Sequence, residues 1–337
     1  MKLRLHRYRL PLRHPFTIAR GSTTEQPTLI VELEHAGVSG YGEAAAVPFY
    51  GIDVDATAAA LEHVQARLER APFDRPETLW HAMRAPLAAA PAALCALDCA
   101  AYDLWGKLNG APVWKLWGLD PSDACPTDYT IGIDALDQMV RKLREFPGWP
   151  VYKIKLGTDH DVAIVRTLRA HTEAVFRVDA NCAWTAEQAG AIIPALARLG
   201  VQLVEQPLPP DDRHGMERLR AVSALPLVAD ESCRVEDDVD RCAPRFHGIN
   251  IKLLKCGGLT PARRMIARAR ALGLAVMIGC FTESTVGISA ASQLLPLVDY
   301  ADLDGPLLLA ADTAAGVRFD RGQPVYPAID GCGITLR

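Results

Sequence analysis

The chain has 337 residues, half of them hydrophobic and 23% charged, with a formal net charge of −4 at pH 7. That balance suits a globular protein with a large core; without a Lys/Arg run, and with no apolar stretch near the roughly 18 residues of a membrane helix, it argues against nucleic-acid or membrane partners. The nine cysteines are odd in number and scattered without a CxxC pair, so free thiols in a reducing cytoplasm are expected, and the start, MKLRLHRYRLPLRHPF, lacks the apolar centre of a signal peptide.

In chain order, residues 2–12, 28–35 and 38–46 read as strands. HPFTIARGSTTEQP (14–27) is polar and Gly-punctuated and reads as a loop, and AVPFYGIDVD (46–55) as a second. Helical patterns follow at 55–70 and 77–85, and the stretch from Ala88 to Lys107 sets Leu94, Leu97 and Leu104 at helical spacing among small residues. Residues 1–124 are therefore expected to form an α+β capping domain whose two loops extend over a neighbour.

A linker with Pro112, Pro121 and Pro126 leads into a regular alternation. Strands are predicted at 128–133, 151–156, 176–180, 202–205, 226–230, 248–253, 275–280 and 299–303, with helices at 135–146, 160–172, 185–199, 213–223, 235–243, 260–272 and 285–295. Runs such as VYKIKL and INIKLL are apolar enough for a sheet covered on both sides. A (β/α)₈ TIM-type barrel over 125–310 fits best. The tail, 311–337, reads as short strands and turns that return to the capping domain.

Three of these strands end in a carboxylate: RVDAN at Asp179, VEQP at Glu205 and VADES at Asp230. In a parallel barrel all C-terminal strand ends open on one face, so the three acids converge. Bare anions so close would repel, and a divalent cation resolves the conflict; an all-oxygen shell suits Mg²⁺. Asn181 and Glu231 are expected to support these ligands. Lys153 and Lys155 share one face of the second strand by period 2, and Lys252 stands at the end of the sixth, across the acidic strands. Lys255, different in parity, reads as solvated or paired with the barrel's own acids. Cys256 and Cys280, without a His partner, read as packing residues.

KxK, then Asp, Glu and Asp on strands three to five, then NIK before KxGG resemble the enolase superfamily, and within it the muconate-lactonising subgroup, over essentially the whole chain. The resemblance implies Asp179, Glu205 and Asp230 as magnesium ligands, Lys155 and Lys252 as opposed acid/bases, and Lys153 as electrostatic help beside the substrate carboxylate. The eighth strand ends YADLDGP, with Asp302 and Asp304 on one face; an acidic pair away from the metal strands calls for a cationic ligand group. The dipeptide epimerases of the family carry such a DxD for the substrate's α-ammonium. Arg20 stands in the first loop where some of them carry an arginine for a terminal acidic residue. GCFTES (279–284) also fits the subgroup, with Glu283 open to a plain helix-start role.

The chemistry expected is removal of the α-proton by one lysine, stabilisation of the enediolate by Mg²⁺ and Lys153, and return of a proton on the other face by the second lysine. Neighbouring cations are expected to lower the base's pKa. The implied substrate is a dipeptide, and a homo-oligomer is left open. Muconate cycloisomerisation, o-succinylbenzoate synthesis and N-acylamino-acid racemisation use nearly the same residues; the acidic pair at 302–304 discriminates. Metal-assisted hydrolysis would place His among the ligands, and none of the nine histidines sits at these strand ends.

Overall fold

A computed structural model describes residues 1–337. The chain opens with three antiparallel strands in the order β1 (Lys2–Ile18), β2 (Gly21–His35) and β3 (Val38–Ala45). β1 and β2 form one long hairpin, paired from Lys2↔Glu34 to Pro11↔Glu25 and, after a register shift, from Phe16↔Thr23 to Ile18↔Gly21. Residues 14–27 are thus a hairpin end rather than the expected loop. Pro11 and Pro15 lack the N–H that a ladder needs, which fits the shift between Pro11 and Phe16. Residues 20–25 are exposed, so no apolar alternation marks them as strand. The second expected loop carries a 3₁₀ turn at Pro48–Tyr50 closed by a Val47↔Ile52 bridge.

Helices α1 (Val54–Arg70), α2 (Pro76–Arg84) and α3 (Pro91–Leu108) follow. Asp53 caps α1 by accepting from the N–H groups of Asp55 and Ala56 at 2.9 Å each. The small residues of α3 let its backbone reach β3. A Cβ on Gly42 would lie 2.0 Å from the Ala96 carbonyl, and one on Gly40 would lie 2.3 Å from that of Ala100.

The second part is an eight-stranded parallel sheet: β4 (Tyr129–Ile131), β5 (Val151–Lys155), β6 (Val175–Asp179), β7 (Val201–Glu205), β8 (Leu227–Ala229), β9 (Gly248–Lys252), β10 (Ala275–Gly279) and β11 (Tyr300–Asp302). Neighbours in space are neighbours in sequence, and a parallel bridge Thr127↔Ala301 joins the first strand to the last. One helix or more fills each interval, so the expected (β/α)₈ barrel is what forms. In β5 the strand period separates two roles. The Tyr152 hydroxyl reaches outward and donates to the Phe146 carbonyl at 2.6 Å, whereas Lys153 and Lys155 turn to the barrel axis. Thr185 and Gln188 form a reciprocal capping box that starts the helix Ala186–Arg198.

Cap and barrel share one apolar core and are stitched by buried polar contacts. The Trp80 indole donates to the Gly257 carbonyl at 2.8 Å, and Asp98 accepts from the N–H and hydroxyl of Thr260, both at 2.8 Å. Glu43 on β3 accepts from Ser284 and Gly287 at the start of the helix Thr285–Ser292. The tail lies between α3 and that helix: Cys332 N–H donates to Asp103, Lys107 to the Ile334 carbonyl, and Gln293 to the Cys332 carbonyl. No helix is long and apolar enough to cross a membrane.

Candidate active site

Asp179 and Glu205 are the last residues of β6 and β7 and stand opposite each other in register; Asp230 follows β8 directly. All three are buried, and one carboxylate oxygen from each lies within 4.8 Å of the others. An octahedral shell with bonds of about 2.1 Å sets its oxygens roughly 3–4.2 Å apart, so a small contraction of this all-oxygen set would fit a magnesium ion. Glu205 Oε2 adds to the fit: it is buried and faces Lys153 Nζ at 2.7 Å without hydrogen-bonding geometry.

Four buried lysines compensate the acids. Lys155 Nζ donates to Asp179 Oδ2 at 2.7 Å and Lys252 Nζ to Asp230 Oδ2 at 2.9 Å. Lys255 is fully committed, to Asp230 Oδ1 at 2.6 Å, the Asp230 carbonyl at 2.7 Å and the Asn250 carbonyl at 3.0 Å. Of the two roles expected for it, solvated or paired with the barrel's own acids, the paired one is found. Lys153 donates to Asp302 Oδ2 at 2.6 Å and lies 2.7 Å from Glu205 and 3.3 Å from Asp179.

These pairings set the charge states. Burial works against the Asp230 carboxylate, but Lys252 and Lys255 outweigh it and hold the acid well below its usual range. Burial likewise opposes Asp179, which Lys155 and Lys153 hold down. Glu205, with less compensation, is pushed up by burial to about 7. At Lys252 the expected downward shift of the base does not appear. Burial and Lys153 favour the neutral amine, yet the facing Asp230 carboxylate, together with Glu205 and Asp302, more than offsets them and raises Lys252 above its usual range.

Above the triad opens a cavity of about 320 Å³. Lys155 from β5 and Lys252 from β9 line it from opposite sides, with Asp230, Glu231 and Asn181 between them and Asp302, Asp304 and Arg20 also on its wall. The structure therefore brings every candidate side chain to one mouth, with Lys153, Asp179 and Glu205 at its base. Asp304 accepts the Thr130 N–H at 2.6 Å. Burial opposes the Asp302 carboxylate, but Lys153, Lys155 and Lys252 together outweigh it and hold Asp302 at about 2, while burial and the charge of Asp302 raise Asp304 to about 7.

The hairpin end carries Arg20 over the mouth. Its Nη1 meets the Asn181 carbonyl at 2.8 Å and Glu231 Oε1 at 2.7 Å, and its guanidinium lies 4.1 Å from the Phe49 ring centroid. Tyr50 packs edge-on to Phe281, whose ring centroid is 4.6 Å from Lys252 Nζ. Sequence reading missed Phe281 as a neighbour of Lys252. It also missed Asn250, whose Nδ2 donates to Glu205 Oε1 at 2.8 Å. A signal existed for Asn250, two residues before Lys252 and so on the same inward face. For Phe281 the signal was only its place in GCFTES, just past a strand end, which does not say which lysine the ring will face.

A capped (β/α)₈ barrel with three acids on successive strand ends between opposed lysines is the plan of the enolase superfamily. Residues 135–337 match the family described as enolase C-terminal domain-like, and residues 2–118 match the mandelate racemase / muconate lactonizing enzyme N-terminal domain. The chain belongs to this mandelate racemase / muconate lactonizing enzyme family. It is 51% identical over 337 residues to an L-Ala-D/L-amino acid epimerase of a Maribacter species, covering 100% of this chain and 99% of the relative. It is 48% identical over 336 residues to a protein of the same name from Flavobacterium johnsoniae, covering 100% of both. Among solved structures, the dipeptide epimerase of Enterococcus faecalis, complexed with Mg and L-Leu-L-Tyr, superposes with a TM-score of 0.92 at 32% identity over 99% of each chain.

Proposed function

We propose that the chain is a magnesium-dependent dipeptide epimerase, an isomerase that inverts the α-carbon of the C-terminal residue through two opposed lysines. The observation that carries this reading is the placement of Lys155 and Lys252 on opposite walls of one cavity, with the buried triad between them. The names of the relatives and the dipeptide bound in the Enterococcus structure support it.

In this reading Asp179, Glu205 and Asp230 would hold a magnesium ion, which when bound would supply positive charge at the carboxylate end of the substrate. Lys155 and Lys252 take the α-proton on one face and deliver one on the other, so the configuration inverts. Each must first leave the carboxylate it now pairs with. Lys153 lends a further positive charge to the carboxylate end, and Asp302 and Asp304 receive the α-ammonium at the far side of one peptide unit. The guanidinium N–H groups of Arg20 other than those on Nη1 have no protein partner and would meet an acidic terminal side chain. Asn181 and Glu231 hold Arg20 and the base of the site in place.

The test is a panel of L,L-dipeptides incubated with enzyme and Mg²⁺ in D₂O and followed by NMR. Deuterium should enter the α-position of the C-terminal residue together with the epimeric product. Exchange confined to N-acylamino acids or dicarboxylates would move the assignment to another reaction of the same site.

A further inference from the structure

The two anionic halves of the site share one cation. On one side lie the triad carboxylates, on the other Asp302 and Asp304, and Lys153 is wedged between them with only 1% of its side chain exposed. Its ammonium touches both halves at once, 2.6 Å from Asp302 Oδ2 and 2.7 Å from Glu205 Oε2, with Asp179 Oδ2 at 3.3 Å. Other lysines are tied to one acid each: Lys155 to Asp179, and Lys252 and Lys255 to Asp230. Lys153 alone bridges.

An ammonium has three donors and cannot keep all these partners once another cation arrives. A substrate ammonium at Asp302 competes with Lys153 for that carboxylate's charge. A divalent ion at Glu205 and Asp179 takes the oxygens on the other side. We infer that the substrate's ammonium and the metal ion compete with the same lysine, and that whichever binds first swings Lys153 off both halves together, so that the second cation finds its carboxylates already released; with a full dipeptide the freed lysine then faces the substrate carboxylate. This rests on the epimerase reading for the identity of the ammonium, and adds to it a coupling between the two ends of the ligand. The direction is opposite to bare Coulomb expectation. Two cations a few ångströms apart repel, and without the shared lysine they would bind antagonistically.

The probe is L-alaninamide, which has the ammonium and an amide but no carboxylate to bridge to a metal. Titration calorimetry of wild-type protein with Mg²⁺, with and without saturating L-alaninamide, reads the coupling directly. The Mg²⁺ dissociation constant should fall roughly five- to tenfold when the amide is present, within the usual span of coupled sites, and the amide should tighten by the same factor when Mg²⁺ is present. In Lys153→Met the sign should reverse, with each cation weakening the other; if that variant does not fold, the wild-type titrations decide alone. Unchanged or weaker Mg²⁺ binding in the presence of L-alaninamide would overturn the inference, as would failure of the amide to bind at all. Isotope exchange into a free dipeptide is scored separately, so loss of the coupling leaves the epimerase reading standing.

Discussion

At the scale of single residues, the site is a set of charges each held by a named partner. Asp302 and Asp304 differ in their surroundings, one paired with Lys153 and the other accepting a backbone N–H from Thr130. An Asn at either position keeps an acceptor but loses the charge that a substrate ammonium would use. Charge-assisted bonds contribute roughly 1.5–3 kcal/mol each, so Asp302→Asn or Asp304→Asn should lower kcat/KM for free dipeptides by about one to two orders of magnitude. Steady-state kinetics on free and N-acetylated dipeptides checks this; equal losses on both would argue against an ammonium site. Asn250 gives a second residue-scale prediction. Asn250→Ala leaves Glu205 Oε1 without its 2.8 Å donor, and Mg²⁺ binding should weaken roughly tenfold or more by calorimetry, as for other groups that orient metal ligands.

At the scale of elements, the joint between β3 and the helix Thr285–Ser292 is the most exacting contact. Glu43 accepts from the Thr28 hydroxyl at 2.7 Å, the Ser284 N–H at 3.0 Å and hydroxyl at 2.5 Å, and the Gly287 N–H at 2.9 Å. Glu283 shares the same pocket, its Oε1 accepting from the Phe281 N–H at 2.9 Å. A Cβ on Gly287 would lie 2.4 Å from Glu283 Oε2 and 3.1 Å from Glu43 Oε2, so the missing side chain is what lets two carboxyls sit together. Burial, reinforced by Glu43, raises Glu283 to about 8. The folded chain then keeps a proton that an unfolded glutamate releases at about 4.3, so stability from this group falls as pH rises from about 4 to about 8 and is flat above. Glu283→Gln should flatten that slope in urea melts across the same range; an unchanged slope would assign the pH dependence to other groups.

The same elements show what sequence can and cannot reveal. Barrel strands stood out because apolar runs alternate with helix-length stretches at regular spacing, a local signal that ends each strand within two residues of where it is found. The triad and the KxK pair followed from those ends and from the period of two. The hairpin end at 14–27 did not, because its returning strand, Gly21 to Glu25, is exposed and carries no apolar alternation to mark its pairing with Phe16, Thr17 and Ile18. Partners 149 residues apart, such as Lys153 and Asp302, are set by barrel closure, and no local pattern announces which acid a lysine will choose.

For the whole molecule, the acids of the triad are already compensated by lysines and shared hydrogen bonds, and cap and barrel are joined by one core. Metal is therefore expected to serve catalysis rather than folding. Chelation should abolish turnover while far-UV circular dichroism stays unchanged and Tm falls only by what ligand linkage predicts. Asp179→Asn, Glu205→Gln and Asp230→Asn should each behave like the chelated protein, folded but without turnover. A chelated sample that kept full activity would contradict the metal assignment.

The central claim is that two lysines work on opposite faces of one α-carbon, and single-lysine variants in D₂O test it most directly. Each epimer of a turned-over dipeptide would be incubated separately with Lys155→Ala and Lys252→Ala, and α-proton exchange followed by ¹H NMR. One variant should exchange the α-proton of one epimer, the other variant that of the opposite epimer, and neither should give net epimerisation. Epimerisation at the wild-type rate in either variant would show that lysine to be a counter-ion of the triad and contradict the two-face scheme.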